Sequence, residues 1–595
     1  MTPIMSVAAG GHHRTVPANG TPPRGGDGLV AYGRMVHDAG SQWDASFDVV
    51  VVGSGFGGLT SALVAAGEGL ETVVVEKTDK YGGSSALSGG GVWVPNNPVL
   101  KRNGQVDSPE RARTYMHEVV GDRVPAQRID TFLSQGPKAI EWLEKNTRHV
   151  RFRWVKGYSD YHPEFPGGEP LGRTMEPVPF NLRKLGADEE SLNTKPMMKG
   201  PLGLWTTQSD YRYLTQAVTT WRGRATAAKV GIRTVATRLS GRHMAALGAA
   251  GVGRFRLALK EAGIPLWLNS PLTALVVEGG RVTGVRIERD DKPMMVQARR
   301  GVILAAGGFE KSEEMRKRYQ QEPVEVGWSS GAAGNTGDGI RAAQEIGAAV
   351  DLMDDAWWMP SVEASGAGVL ILAERSLPRC IVVNGDGRRF VNEASPYVNF
   401  VHRMYELNDP GSSHIPSFLI FDQTYRDRYP FVAVPPRRPL PKAFTKFGIV
   451  TTADSLAELA GKIGVPPEHL EQTVTRFNRM AAEGKDEDFA KGDSAYDRYY
   501  GDPANKPNPC LGPLEKPPFY AFRIVPGDLG TKGGVVTDPD ARVLDADGRP
   551  IPGLYATGNN TASVMGNDYA GAGATIGPAI VFGYVAAKHL AAQSA

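Results

Sequence analysis

The stretch Asp48-Val49-Val50-Val51-Val52-Gly53-Ser54-Gly55-Phe56-Gly57-Gly58 constrains this chain more than any other. An unbroken valine run suits a strand buried on both faces of a parallel sheet, and the glycines that follow end it before a helical pattern begins. The spacing predicts strand, phosphate loop and helix. Gly53 serves the tight turn, Gly55 lets backbone N–H groups approach a pyrophosphate, and Gly58 lets the helix pack close on the strand; Phe56 and Gly57 complete the loop. A second apolar run, 72–75, ends at Glu76, eighteen residues past Gly58, where a carboxylate accepts the ribose hydroxyls of an adenosine and repels a 2′-phosphate. Together these features point to a bound dinucleotide; FAD and NAD both satisfy them.

At 595 residues the chain exceeds what one core supports, so two domains or a large insertion are expected. A net charge of +3 is too balanced over this length to imply a nucleic-acid partner. Two cysteines, Cys380 and Cys510, provide no metal quartet and at most one disulfide, which fits a reducing cytoplasm. Residues 1–45 have neither an apolar h-region nor an Arg-Arg pair and read as a disordered extension. The uncharged run 569–587 holds several glycines and Pro578, a poor spanning helix, and no transmembrane segment is expected.

After Glu76, Lys77 leads into Gly82-Gly83-Ser84-Ser85, then Ser88-Gly89-Gly90-Gly91 and Trp93-Val94-Pro95-Asn96-Asn97. This run reads as a loop of backbone donors for phosphate and cofactor edges, not as a core element. No histidine lies between Lys77 and Trp93 to attach a flavin, so the cofactor is expected to be held without a covalent bond. Leu275-Val276-Val277, then 282–287 and 301–308 with Ala306 and Gly307, suggest a ribbon returning to the first sheet. Asn335-Thr336-Gly337-Asp338-Gly339 precedes a short amphipathic helix. Near the end, 553–559 closes a strand at Gly558 and Asn559, and Ala574, Thr575 and Ile576 open a helix with Pro578 in its first turn. Such an N-terminus favours negative charge on a flavin pyrimidine oxygen. Between 356 and 529 the composition shifts toward proline, arginine and aromatics, which reads as a separate substrate domain.

These motifs in this order resemble the FAD-dependent 3-ketosteroid Δ1-dehydrogenases, of the flavoprotein group that includes fumarate reductases, over roughly residues 46–590. The resemblance implies an α/β fold: a discontinuous Rossmann-like FAD-binding domain (46–355 and 530–595), a separate α+β substrate or cap domain (356–529) and a helical basic insertion (211–260). It implies non-covalent FAD, a 3-ketosteroid substrate in steroid and sterol degradation, and an artificial or quinone-type electron acceptor. The family's catalytic tyrosines correspond to Tyr161, Tyr397 and Tyr569, with the backbone N–H of Gly573 as fourth member. This chain differs from the commoner pattern in Asn567-Asp568 before Tyr569 and in 570–573, where proline and glycine usually alternate. Alternatives are a dehydrogenase of the C4–C5 bond of 5α-steroids, a fumarate-reductase-like enzyme, which would need converging cations, and a non-catalytic flavin-loaded lipid carrier, which would not need the tyrosines.

The chemistry makes its own demands. A C1–C2 double bond beside a C3 ketone requires loss of a proton from C2 and a hydride from C1, the latter to flavin N5 in the family. A phenol O–H and a backbone N–H converging on the ketone oxygen polarise it, each such donor being typically worth about 3 kcal/mol. The base expected is Tyr397, and a phenol of pKa about 10 is roughly 4 kcal/mol from its ionised form at pH 7. A hydrogen bond from Tyr161 is expected to assist it. Asp160, His162 and Glu393 read as solvated or structural, and Arg388-Arg389 as a surface pair.

One local asymmetry remains. Between 211 and 260 there are ten Lys or Arg and no Asp or Glu, so the other 545 residues sum to −7 against the total of +3. Leu214, Val218, Trp221, Ala225, Ala228, Ile232, Val235 and Leu239 recur at helical spacing while Arg222, Arg224, Lys229, Arg233 and Arg238 fall off that face. A basic amphipathic helix is expected here, with peripheral membrane contact on the cytoplasmic side as its role.

Overall fold

The computed structural model describes residues 43–194, 204–364, 367–432 and 434–593, so the expected extension lies, up to residue 42, outside the described residues. The chain opens with β1 (Ala45–Val52), α1 (Phe56–Gly67) and β2 (Thr72–Val75), followed by the short β3 (Val92–Trp93) and the helices α2 (Gln208–Leu214) and α3 (Trp221–Leu239). It returns through β4 (Leu266–Trp267), β5 (Leu272–Glu278), β6 (Arg281–Arg289), β7 (Lys292–Leu304) and α4 (Asp338–Glu345). A second set of strands follows: β8 (Ala356–Ala364), β9 (Ala367–Leu370), β10 (Cys380–Val383), β11 (Ser417–Phe421), β12 (Val450–Ala453) and β13 (Phe519–Thr531), with α5 (Tyr397–Leu407) and α6 (Ala495–Tyr500) between them in sequence. The chain then closes with β14 (Arg542–Leu544), β15 (Pro550–Ala556) and α7 (Ile576–Ala592).

The first sheet runs β14-β15-β7-β1-β2-β4, with β6 and β5 attached as an antiparallel ribbon beside β7. β1 pairs in parallel with β2 and β7, and β7 in parallel with β15. The valine run explains its central place. Val49 and Val51 enter one core and Val50 and Val52 another, all four buried, each side chain contributing about 1.5–3 kcal/mol of burial. The second sheet is antiparallel, β9-β8-β13-β11-β10 with β12 also on β13. The fold is thus mixed α/β, a parallel sheet with helices beside a separate antiparallel one.

Some expectations change. The run ending in Asn97 is not all loop: β3 pairs with 174–175, and Val92, Trp93, Val94 and Asn97 are fully buried, Trp93 stacking on Phe132 at 6.1 Å. An apolar triplet inside a glycine-rich run was enough to make a core strand. The basic segment spans three helices, α2, α3 and Leu247–Glu261: Thr220 caps α3 by accepting from Gly223 N at 3.0 Å, and buried Gln216 donates to Gly501 O, so Leu214 and Val218 leave the stripe. Cys380 and Cys510 are both buried and free. Among the described residues no helix is long and apolar enough to cross a membrane.

Candidate active site

β1 delivers its chain end to the edge of a cavity of about 760 Å³ that runs from the glycine loop to a cluster of tyrosines. Gly53 has φ +106°, and a Cβ there would lie 2.3 Å from Ala305 O, so the turn from β1 into α1, packed against the end of β7, admits only glycine. Gly55 brings no capping side chain to α1, and Phe56 N donates to Ser85 Oγ at 3.0 Å; Gly55, Phe56 and Gly57 line the cavity, where a helix N-terminus suits a phosphate. Glu76 lines the cavity and accepts from Ser54 N at 3.2 Å and Ser54 Oγ at 2.5 Å. Lys77 Nζ reaches Thr336 Oγ1 at 2.6 Å and Asp338 at 2.7 Å, tying the first loop to the start of α4. Asn335 Nδ2 donates to Ser84 Oγ at 3.0 Å and Glu310 Oε1 at 2.6 Å.

Most residues expected at a cofactor share this cavity: Gly53, Gly55, Phe56, Gly57, Glu76 and Lys77; Gly83, Ser84, Ser85 and Ser88 to Gly91; Ala306, Gly307, Asn335 and Asp338; Gly558, Asn559, Thr575 and Ile576. Gly58 lies behind it, where a Cβ would meet Gly53 O at 2.0 Å. Ala574 is buried off the lining, and Val276 and Val277 sit in β5, with Val276 fully buried; Ser270 and Leu272, at the foot of that strand, line the cavity instead. A cavity lined by glycine-rich backbone, with the Glu76 carboxylate and the N-terminus of α1 on its wall, fits a flavin dinucleotide.

The other end is aromatic. Tyr161, Tyr397 and Tyr569 come from three distant segments and meet here, with ring centroids 5.1–5.4 Å apart. Tyr161 Oη donates to Tyr397 Oη at 3.0 Å. Tyr569 Oη lies 2.9 Å from Thr575 Oγ1 and faces the Gly573 backbone N–H. Gly573 has φ +99°, and a Cβ there would lie 2.2 Å from Gly91 C, so close packing of two backbones sets the direction of its N–H. Tyr161 N and Tyr115 Oη both donate to Ala570 O, at 3.1 and 2.6 Å, locking two tyrosine segments together. Burial is the largest influence on all three phenols, raising Tyr569 and holding Tyr161 and Tyr397 well above the ordinary tyrosine pKa.

The flanking charges are structural, and none is solvated. Asp160 is fully buried, paired with Arg173 and accepting from Trp93 Nε1 at 2.8 Å. His162 Nε2 lies 3.0 Å from Asp568 Oδ1, which also accepts from Tyr569 N at 2.7 Å. Glu393 holds Arg389 by two bonds of 2.7 and 2.8 Å. Arg389 is therefore no surface residue: its side chain is 3% exposed and also grips Asp486. A charge whose second partner, here Asp486, lies 97 residues away can be buried, which its sequence neighbours do not reveal. Tyr158, Met359, Leu370, Leu372 and Tyr500 also line the cavity and were not expected there; only Tyr158, three residues before Tyr161, carried a signal.

The FAD binding domain family matches residues 48–576. The chain is 52% identical over 558 residues to a 3-oxosteroid 1-dehydrogenase of Mycobacterium tuberculosis, covering 92% of this chain and 99% of that protein. It is similar to the structure of 3-ketosteroid delta1-dehydrogenase from Sterolibacterium denitrificans in complex with 1,4-androstadiene-3,17-dione. The TM-score is 0.87 at 43% identity, covering 92% of this chain and 100% of that one. A 3-ketosteroid-delta4-(5alpha)-dehydrogenase from Rhodococcus jostii shares the fold, with a TM-score of 0.65 at 23% identity over 93% of this chain and 99% of that one.

Proposed function

The chain belongs to the family of FAD-dependent 3-oxosteroid 1-dehydrogenases, and from that premise we propose that it introduces a double bond between C1 and C2 of a 3-ketosteroid in steroid degradation. The observation that carries this reading is the Tyr161–Tyr397 hydrogen bond of 3.0 Å beside Tyr569 and Gly573, at the far end of a cavity that begins at the glycine loop. Tyr569 Oη and Gly573 N–H polarise the C3 ketone, which acidifies C2. Tyr397 takes the C2 proton, with Tyr161 donating to its oxygen and favouring the charged form. The α1 N-terminus would hold the pyrophosphate of FAD, Glu76 its ribose, and the start of α7 the flavin ring. FAD, when bound, supplies the hydride acceptor. Residues 46–355 with 530–595 serve the cofactor, 356–529 cover the steroid, and a quinone-type or artificial acceptor takes up the electrons.

Anaerobic incubation with androst-4-ene-3,17-dione is the test: the flavin bleaches and the 1,4-diene forms. No bleaching with this ketone, but bleaching with its 5α-saturated analogue, would assign the C4–C5 bond instead. Acid precipitation releases the FAD, because no histidine between Lys77 and Trp93 is there to attach it; yellow colour left on the pellet would refute non-covalent binding.

Membrane contact through α3 belongs to the same proposal. The helix docks on the protein through Gly223, Val230 and Thr234, and turns Trp221 (81% exposed), Ile232 (71%), Val235 (57%) and Leu239 (84%) outward. At 3.6 residues per turn these four form one stripe, with Arg222 and Lys229 along one side and Arg224 and Arg238 along the other. Arg233 turns inward to Asp210 at 2.7 Å. An outward apolar stripe flanked by cations suits the surface of an anionic bilayer on the cytoplasmic face, which also holds the sterol. The parent pellets with anionic liposomes at low salt and less at high salt. Combining Trp221→Ala with Arg222→Glu, Arg224→Glu and Lys229→Glu weakens partitioning by more than about 3 kcal/mol, on the order of a hundredfold. Equal pelleting of the two proteins would rule the contact out.

A further inference from the structure

Tyr397 meets an opposition that Tyr161 alone does not answer. Its burial and the phenols of Tyr569, Tyr158 and Tyr496 all disfavour the phenolate, with the Tyr161 hydroxyl acting the other way. A base of this kind calls for positive charge nearby. Behind the cluster, Tyr496 on α6 packs on Tyr161 with ring centroids 4.7 Å apart, and beyond Tyr496 lies Arg375.

Arg375 is fully buried. Arg173, Arg316 and Arg389, comparably buried, each hold a carboxylate, whereas Arg375 forms no ion pair among the described residues. Its Nη1 donates to Glu393 O at 2.5 Å and to Ser395 O at 2.6 Å, the carbonyls of the turn from which Tyr397 enters α5. Its guanidinium stands 5.6 Å from the ring centroid of Phe400, one turn further along that helix. Its Nε and Nη2 are buried without hydrogen bonds, as is Tyr496 Oη, and the guanidinium lies near enough to that phenol to favour its ionised form. No surrounding carboxylate closes an ion pair on it: Glu393 pairs with Arg389 and Lys491, Asp497 accepts from Asn392 Nδ2 and Gly492 N, and Glu374, whose charged form Arg375 favours without contact, accepts from Leu372 N.

We propose that Arg375 is a positioning residue for the Tyr397 base, fixing the turn that delivers it and presenting to the phenolate, through Tyr496 and Tyr161, a charge that no ion-pair contact holds. This role rests on the reading of Tyr397 as base. One guanidinium does two separable things here: the hydrogen bonds to Glu393 and Ser395 set where the phenol stands, and the charge sets how readily it ionises. A packing role would supply the first without the second.

The test uses holoenzyme with its flavin held reduced, so that the C2 proton of androst-4-ene-3,17-dione exchanges with deuterated water without net turnover. In the parent, exchange rises with pH to a plateau. Arg375→Met moves that limb upward by about one pH unit, so exchange below it is about tenfold slower, while the steroid Kd changes by less than about threefold, within what lost packing alone produces. Arg375→Lys keeps the charge and brings the limb back toward the parent, with a lower plateau because it lacks the forked donor. Tyr496→Phe shifts the limb in the same direction by a smaller amount. An equal loss at every pH, or an unshifted limb, in Arg375→Met overturns the proposal; if that variant fails to fold, an unshifted limb in Tyr496→Phe does so. A parent showing no exchange refutes the Tyr397 base and this role with it, whereas exchange in the parent with unshifted variants refutes Arg375 alone.

Discussion

Tyr397→Phe lowers kcat by at least about a hundredfold, the lower range for loss of a positioned base, and leaves FAD bound. The physical grounds are local. Tyr397 is the first residue of α5, and its ring edge is retained in phenylalanine, so packing on Tyr161 and Tyr569 survives. What disappears is the oxygen that accepts from Tyr161 Oη and, in the proposed reaction, the C2 proton. The parent's rate rises toward alkaline pH: the phenol's pKa is raised by burial, so it is protonated at neutrality and each step upward in pH increases the ionised fraction. Phenylalanine removes that dependence. Stopped-flow flavin reduction with androst-4-ene-3,17-dione across pH measures both effects. A variant keeping more than about a tenth of parental kcat, a loss under ~1.4 kcal/mol, means that another group is the base.

Gly53→Ala yields protein that retains less than about a tenth of the parental FAD per chain, a weakening of tenfold or more. The reason is geometric. The backbone at Gly53 has φ +106°, and the added Cβ would sit 2.3 Å from Ala305 O and 2.8 Å from Ala306 Cα, so the strain adds to a clash between two backbones that are paired through β1 and β7. The turn must open, and the amides of α1 move away from where a pyrophosphate would bind. Absorbance of the purified protein and its melting temperature with added FAD report the loss. Gly69→Ala is the control: that glycine also has positive φ but a Cβ there meets nothing within 4 Å, so flavin content stays at the parental level. Full flavin in Gly53→Ala would show that the loop does not hold the cofactor.

The elements readable from the sequence are those whose determinants lie within a few residues of one another. The valine run, the glycine spacing and Glu76 predict β1, α1 and β2 because strand period, turn conformation and helix packing are each set over short separations. The same holds for the strand and helix starts at Asp338 and Ile576, and for the apolar stripe of α3. Which way that stripe points was decided by tertiary packing: Gly223, Val230 and Thr234 offered the smaller, closer-fitting face to the protein, leaving the more apolar face outside. Burial of Trp93, of Arg389 against Asp486 and of Arg375 behind Tyr496 likewise depends on partners remote in the chain. The tyrosines are the sharpest case. A family resemblance named Tyr161, Tyr397 and Tyr569, but their hydroxyls lie 236 residues apart in sequence for the first pair. Only the docking of the antiparallel sheet over the cofactor sheet, driven by burial of a shared apolar core, brings them to one end of one cavity.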